Sequence, residues 1–185
     1  MLMIDFENTY NRIWTSFDLR RANLYAEVEG NRFVELLIKI DAMDDPEFEG
    51  YNVLSFGPVK SDGSIDTSVR LKYIDVGKVL STILLQGWIF LRGNQDCFLI
   101  IDGSTDLRTI LYHQILKNNR DYIEVYFRPL GIDYYVRRKR DDTYELDEFG
   151  QLLPKPMIFD FDYKRTKYCL YKYYALELNP NSVKF

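Results

Sequence analysis

A chain of 185 residues with 46% apolar and 28% charged side chains has the composition of an ordinary globular domain, which excludes disorder and collagen-like repeats. It has no apolar run of about 18 residues, and its start, Met1-Leu-Met-Ile-Asp-Phe-Glu, carries acids where a signal peptide carries cations, so a cytoplasmic protein without membrane contact is expected. The formal charge of −4 is uneven: residues 1–66 hold 13 acids against 6 bases, and residues 104–140 hold 4 acids against 8 bases. Such a dipole steers a charged partner to one face, while net acidity argues against broad nucleic-acid binding.

The first elements follow from spacing. Phe6, Tyr10, Ile13, Trp14 and Phe17 recur at helical intervals, which predicts an N-terminal helix with one aromatic stripe. Leu24–Glu29 and Arg32–Asp41 flank Gly30-Asn31 and read as a β-hairpin. Asp44–Gly50 is a loop on composition, Tyr51–Phe56 a third strand, and a further short strand is expected between Ile65 and Ile74.

Asp75 is placed to cap a helix running to about Arg92, with Val76, Leu80, Ile83, Leu84 and Leu91 at helical spacing and Gly93-Asn94 at its end. Cys97-Phe-Leu-Ile-Ile is a continuous apolar run, the mark of a strand covered on both faces. A second helix is expected over about Asp106–Asn118, turning Leu107, Ile110, Leu111 and Ile115 inward and leaving His113 on a flank away from that stripe. Ile123–Phe127, Tyr134–Val136 and Thr143–Leu146 read as strands, and Tyr168–Leu178 as an aromatic, β-rich close.

The whole is α+β: a mainly antiparallel sheet with two helices packed on one face, plus an N-terminal helix and a tyrosine-rich C-terminal strand region. It forms a single domain over 1–185, with an N-terminal helical extension (1–22), an α+β core (24–130) and a C-terminal β-rich extension (131–185).

The junction Asp102-Gly-Ser-Thr-Asp-Leu-Arg is the segment richest in possible chemistry. A helix N-terminus offers free N–H groups and partial positive charge, so Ser104, Thr105 and Arg108 form a candidate anion site, with Tyr112 on the same flank. His113 is the sole imidazole, and Arg108, Tyr112 and His113 would supply a phosphate stabiliser, an acid and a base to a small RNA-acting enzyme. A capped helix with a solvated arginine reads the same way. Two cysteines and one histidine cannot assemble the usual zinc site, and no cofactor or metal is expected. Cys97 and Cys169 read as buried free thiols; a Cys97–His113 pair is the catalytic alternative. Asp160 and Asp162 fall on one strand face and read as polar surface.

Two basic runs are candidate nucleic-acid contacts: Arg137, Arg138, Lys139 and Arg140, and Lys164, Arg165 and Lys167 among tyrosines. A mobile basic loop and a tyrosine-rich edge strand with lysine gatekeepers are the plainer alternatives. Tyr10, Trp14 and Phe17 make a candidate interaction surface for a protein partner or a second copy.

Phe56-Gly-Pro with Ile65-Asp66, then Lys78-Val-Leu-Ser-Thr, then Gly103-Ser-Thr with Arg108-Thr and Leu111-Tyr112 together resemble a family of small uncharacterised bacterial proteins. The similarity spans about residues 24–117. It departs at Phe56-Gly-Pro, where members carry Phe-Gly-Asp, and at His113, where members carry arginine. The resemblance implies an accessory role in bacterial defence or toxin–antitoxin loci. An interaction or neutralising module without catalysis is therefore the first functional expectation. The alternatives are a small RNA-acting toxin or nuclease, or a nucleotide- or phosphate-sensing domain, each using residues 102–113.

Overall fold

The computed structural model describes residues 2–66, 69–101 and 105–184. Among them, eight strands form one sheet: β1 (Arg12–Thr15), β2 (Arg21–Val28), β3 (Arg32–Ala42), β4 (Tyr51–Pro58), β5 (Phe98–Ile101), β6 (Phe127–Val136), β7 (Pro154–Asp160) and β8 (Tyr173–Leu178). Their order is β1-β2-β3-β4-β5-β8-β6-β7, and every neighbouring pair is antiparallel except β4–β5. The α-helices are α1 (Val76–Gly93), α2 (Asp106–Asn118) and α3 (Arg120–Tyr126). The α+β class and the mainly antiparallel sheet stand as expected.

Alternation builds the hairpin, strict on β2 and interrupted on β3 by the buried Leu37. Ala22, Leu24, Ala26 and Val28 of β2 and Leu36, Ile38 and Ile40 of β3 turn to the helix side and are buried. The connection turns through Gly30 and Asn31, both at positive φ, a conformation glycine adopts freely and asparagine tolerates. The crossover from β4 to β5 is α1, whose first turn is capped by Asp75 accepting from the Lys78 N–H at 2.8 Å. Val79, Leu80, Ile83, Leu84, Phe90 and Leu91 of α1 complete the main core against the sheet.

The opposite face has a smaller core. A 3-10 turn at Pro46–Phe48 inserts Phe48 over Tyr51, Ile100, Leu130, Ile132 and Ala175. This covers the middle of the sheet; over β1–β3 the same side leaves Trp14, Tyr25 and Phe33 exposed, with Leu37 of β3 buried.

Five expectations are corrected. The N-terminal segment is not a helix. Its backbone is irregular, with one turn closed by the Asn8 N–H donating to the Asp5 carbonyl (3.2 Å), because polar side chains on or beside the helices take its N–H groups: Ile4 donates to Asn119 Oδ1 (2.8 Å), Asp5 to Ser81 Oγ (2.9 Å), Phe6 to the Tyr122 hydroxyl (2.7 Å) and Tyr10 to Thr82 Oγ1 (2.9 Å). An intrahelical ladder would forfeit all of these. Ile123–Tyr126 belongs to α3, where Ile123 is buried and the Tyr122 and Tyr126 rings close on Phe6, at 5.6 and 4.6 Å.

The stripe assigned to α2 is out of phase. Leu107 and Leu111 are 75% and 41% exposed, and the buried residues are His113, Ile115 and Leu116. Finally, residues beyond 130 are no appendage: β6 runs through that position, and β8 lies between β5 and β6 in the middle of the sheet. Tyr171 packs so tightly over β6 that a Cβ on Gly131 would meet its ring at 2.3 Å. Of the strand expected between Ile65 and Ile74, the described residues show single bridges, Val59–Ile65 and Val28–Tyr73; residues 67 and 68 lie outside them.

Candidate functional site

β5 ends at Ile101, beside Leu54 of the parallel strand β4, and α2 begins at Asp106; ligands settle at such strand ends in open parallel sheets. Asp102, Gly103 and Ser104 lie outside the described residues. From Thr105 onward the expectation of a capped helix holds: Thr105 Oγ1 accepts from the Arg108 N–H at 3.3 Å, and Thr109 Oγ1 donates to the Thr105 carbonyl at 3.1 Å. The Arg108 side chain is exposed on the first turn. Tyr112, half-buried one turn on, closes an apolar cavity of about 20 Å³ with Leu54, Phe56, Ile101 and residues of α1. A space of that size holds one water at most, and its lining offers no polar partner.

His113 is elsewhere. It is 2% exposed, beneath Phe161 (ring centroids 5.1 Å apart) and beside Tyr174 (6.1 Å). The flank expected to be solvent-facing is the buried one, because the segment from Phe161 to Tyr171 folds back over α2. Neither ring nitrogen, nor the Tyr174 hydroxyl, has a hydrogen-bond partner of good geometry among the described residues. Burial holds the imidazole pKa below its usual value. The charges of Lys117 and Arg165 add to that, and the Arg165 backbone and the Asp162 carboxylate act against it. The three candidate catalytic residues are thus split between a surface (Arg108), a boundary (Tyr112) and a core (His113).

The segment over His113 is anchored by groups 30 or more positions apart in sequence. Arg165 donates to Asp133 Oδ2 at 2.8 Å, both largely buried, and its guanidinium lies 3.6 Å from the Tyr171 ring centre. The Tyr163 hydroxyl donates to Glu124 at 2.8 Å, and the Arg120 guanidinium sits 4.5 Å from the Tyr163 ring centre. Arg165 is therefore engaged inside the fold, while Lys164 and Lys167 stay exposed. Arg137, Arg138, Lys139 and Arg140 are exposed beyond the end of β6, with Arg138 paired to Asp142 at 3.1 Å. Cys97 is half-buried and Cys169 exposed, which corrects the expectation of two buried thiols. Asp160 pairs with Arg128 at 2.7 Å. Among the described residues no group of three or more His, Cys, Asp or Glu is arranged to hold a metal ion.

The aromatic residues near the N-terminus are on the surface, though not on a helix. Tyr10 is half-buried, with Lys78 Nζ 4.6 Å from its ring centre. Trp14 on β1 is 52% exposed and Phe17, in the turn after it, is fully exposed. The register places Trp14 beside Asn23 on the face opposite the helices, so that Tyr25 and Phe33, both exposed, share it. Sequence reading passed over Tyr25 and Phe33; their signal is the same alternation that buries Leu24 and Leu36, followed to its outward positions. The charges on this face are Glu27, Glu35 and Asp41, with Asp44, Asp45, Glu47 and Glu49 on the loop that covers its middle, against Arg21 and Lys39. Lys39 is held by Asp41 at 2.8 Å. The open face is aromatic and acidic.

A family model described as a family of unknown function (DUF6934) matches residues 22–149. The chain belongs to that family. The match runs from β2 through β6 and leaves β1, β7 and β8 outside it. No curated protein and no solved structure matches the chain. Among the described residues no helix is long and apolar enough to cross a membrane.

Proposed function

We propose that this chain is a protein-interaction module whose open sheet face holds a cationic protein partner. The observation that carries this is the joint placement of Trp14, Tyr25 and Phe33 on one uncovered face, among an excess of carboxylates. Exposed aromatics supply contact area at small entropic cost, and complementary charge selects the partner and speeds its arrival. β1 is short and lies at the sheet edge, with its outer side unpaired, so a strand of the partner can be added there. The setting, neutralisation in a bacterial defence or toxin–antitoxin locus, comes from the resemblance over residues 24–117. A protein that acts on nucleic acid meets its phosphates with Lys and Arg, which is the chemistry an acidic face fits.

The absence of catalysis is part of the proposal, supported by the separation of Arg108 from His113. The test is tagged expression in a bacterial host with growth followed throughout. Wild type is expected to grow normally and to co-purify a basic protein that is lost at high salt and in Glu27→Lys/Glu35→Lys and Trp14→Ala. Growth arrest by wild type that Arg108→Ala and His113→Ala both relieve would replace this proposal with the RNA-acting enzyme. Captured proteins that both surface variants retain would also overturn it.

A further inference from the structure

Beyond β6 and β7 the chain forms a tab. Residues 137–153 fold as three short extended runs joined by two tight turns. The first turn is closed by the Asp142 N–H donating to the Lys139 carbonyl (3.1 Å), the second by the Gly150 N–H donating to the Asp147 carbonyl (3.1 Å). The runs are bridged at Arg138–Tyr144 and Leu146–Leu152, continuing the β6–β7 pairs Val136–Pro154 and Tyr134–Pro156. Side chains opposite one another share a face. One face of the tab and its root therefore presents Tyr134, Tyr144, Leu146, Leu152 and Ile158, all exposed, with Arg138 at its basic end. Three short runs have no second layer to bury this surface, and an apolar sheet face of this kind is stable when packed against another.

The charges of the tab say what covers it. The turn before the middle run carries Arg137, Arg138, Lys139 and Arg140 against Asp141 and Asp142. The turn after it carries Asp147 and Glu148 and no base. Glu145, in the middle, is already paired with Lys155 at 3.3 Å. The middle run thus has a positive end and a negative end, with Tyr144 and Leu146 between them. A twofold axis through that run sets a second copy antiparallel across it. The basic turn of each copy then meets the acidic turn of the other, and the two apolar faces close on each other.

We infer that the tab is a homodimerisation element, packed face to face with the tab of a second copy. This is a closed, isologous contact, the commonest way soluble chains pair. Ion pairs of partly exposed groups fix its register more than its affinity, and the apolar faces supply the driving force. The tab grows from the β6–β7 edge of the sheet, the edge opposite β1, so dimerisation and partner capture stand or fall separately.

The experiment is sedimentation equilibrium of the full chain and of two charge-reversed variants. Lys139→Glu/Arg140→Glu makes both turns acidic, and Glu148→Lys/Gln151→Lys makes both basic. Wild type is expected to be dimeric at micromolar concentration, and each variant to dimerise at least about tenfold more weakly. An equimolar mixture of the two variants is expected to recover a dimer, because opposite charges again face each other at both contacts. Leu146→Ser is expected to be monomeric with an unchanged circular dichroism spectrum. A monomeric wild type, variants that dimerise as wild type does, or a mixture that stays monomeric overturns the inference.

Discussion

The two faces of the sheet are built from one alternation and meet different surroundings. On the helix side, Leu24, Leu36, Ile38, Leu99 and Leu176 are fully buried, and α1–α3 with the N-terminal segment cover them. On the other side, Phe48 and its loop cover the middle, and the strands at both edges leave aromatics exposed. The covered face is where stability resides. The bare stretches, Trp14 to Phe33 at one edge and the tab at the other, are where recognition is proposed.

That contrast sets the order of expected effects. The largest is on the covered face: Leu36→Ala is expected to cost about 2–5 kcal/mol, from lost transfer energy plus the cavity left behind. Chemical unfolding at neutral pH reads it. Gly131→Ala comes next, at about 1–3 kcal/mol, because its Cβ meets the Tyr171 ring and the loop over His113 must shift. Asn119→Ala is expected to cost about 2 kcal/mol and to raise hydrogen exchange in residues 2–6. Its side chain takes the Ile4 N–H and donates to the Leu2 carbonyl, while the Ile115 carbonyl it also reaches keeps the Asn119 backbone N–H.

His113 gives a smaller effect with a definite sign. Its pKa in the folded state is lowered, so below the usual value of about 6.5 the unfolded chain binds a proton that the folded chain refuses. The folded state therefore loses stability as pH falls below about 6.5, and above that pH the residue contributes no slope. Measured as the difference between wild type and His113→Phe over pH 7.5 to 5, this loss is expected in wild type and absent from the variant. A difference that stays constant with pH would show the imidazole to be accessible. At the bottom of the scale, Phe33→Ala and Tyr25→Ala on the bare face are expected to change stability by no more than about 0.5 kcal/mol.

Much of the fold was legible. The hairpin about Gly30-Asn31, both long helices with their Asp75 and Thr105 caps, and the apolar strand at Phe98–Ile101 follow from periodicity and cap chemistry. Illegible parts depend on distant partners. The aromatic spacing of Phe6, Tyr10 and Trp14 suits a helix, yet the N–H groups of Ile4, Asp5, Phe6 and Tyr10 go to Asn119, Ser81, Tyr122 and Thr82, more than 70 positions away, and Trp14 lies on β1. The phase of α2 was hidden likewise: Phe161 and Tyr174 cover His113, and no local signal announces that a loop 48 positions on returns across the helix. Of the candidate site, Thr105 and Arg108 sit at the capped junction as expected, and His113 does not join them. The exposed aromatics were visible as residues, but their common face appears only with the β1–β2–β3 register.

The most direct measurement is photocrosslinking in living cells, with p-benzoylphenylalanine placed singly at Phe33, at Tyr25 and, as a control on the helix side, at Leu107. All three positions are exposed, so the probe itself is tolerated. Adducts with one basic protein are expected from positions 33 and 25 and not from 107, and they are expected to vanish in Glu27→Lys/Glu35→Lys. Adducts from position 107 alone, or adducts from the open face that survive charge reversal, would contradict a partner-binding role for this face.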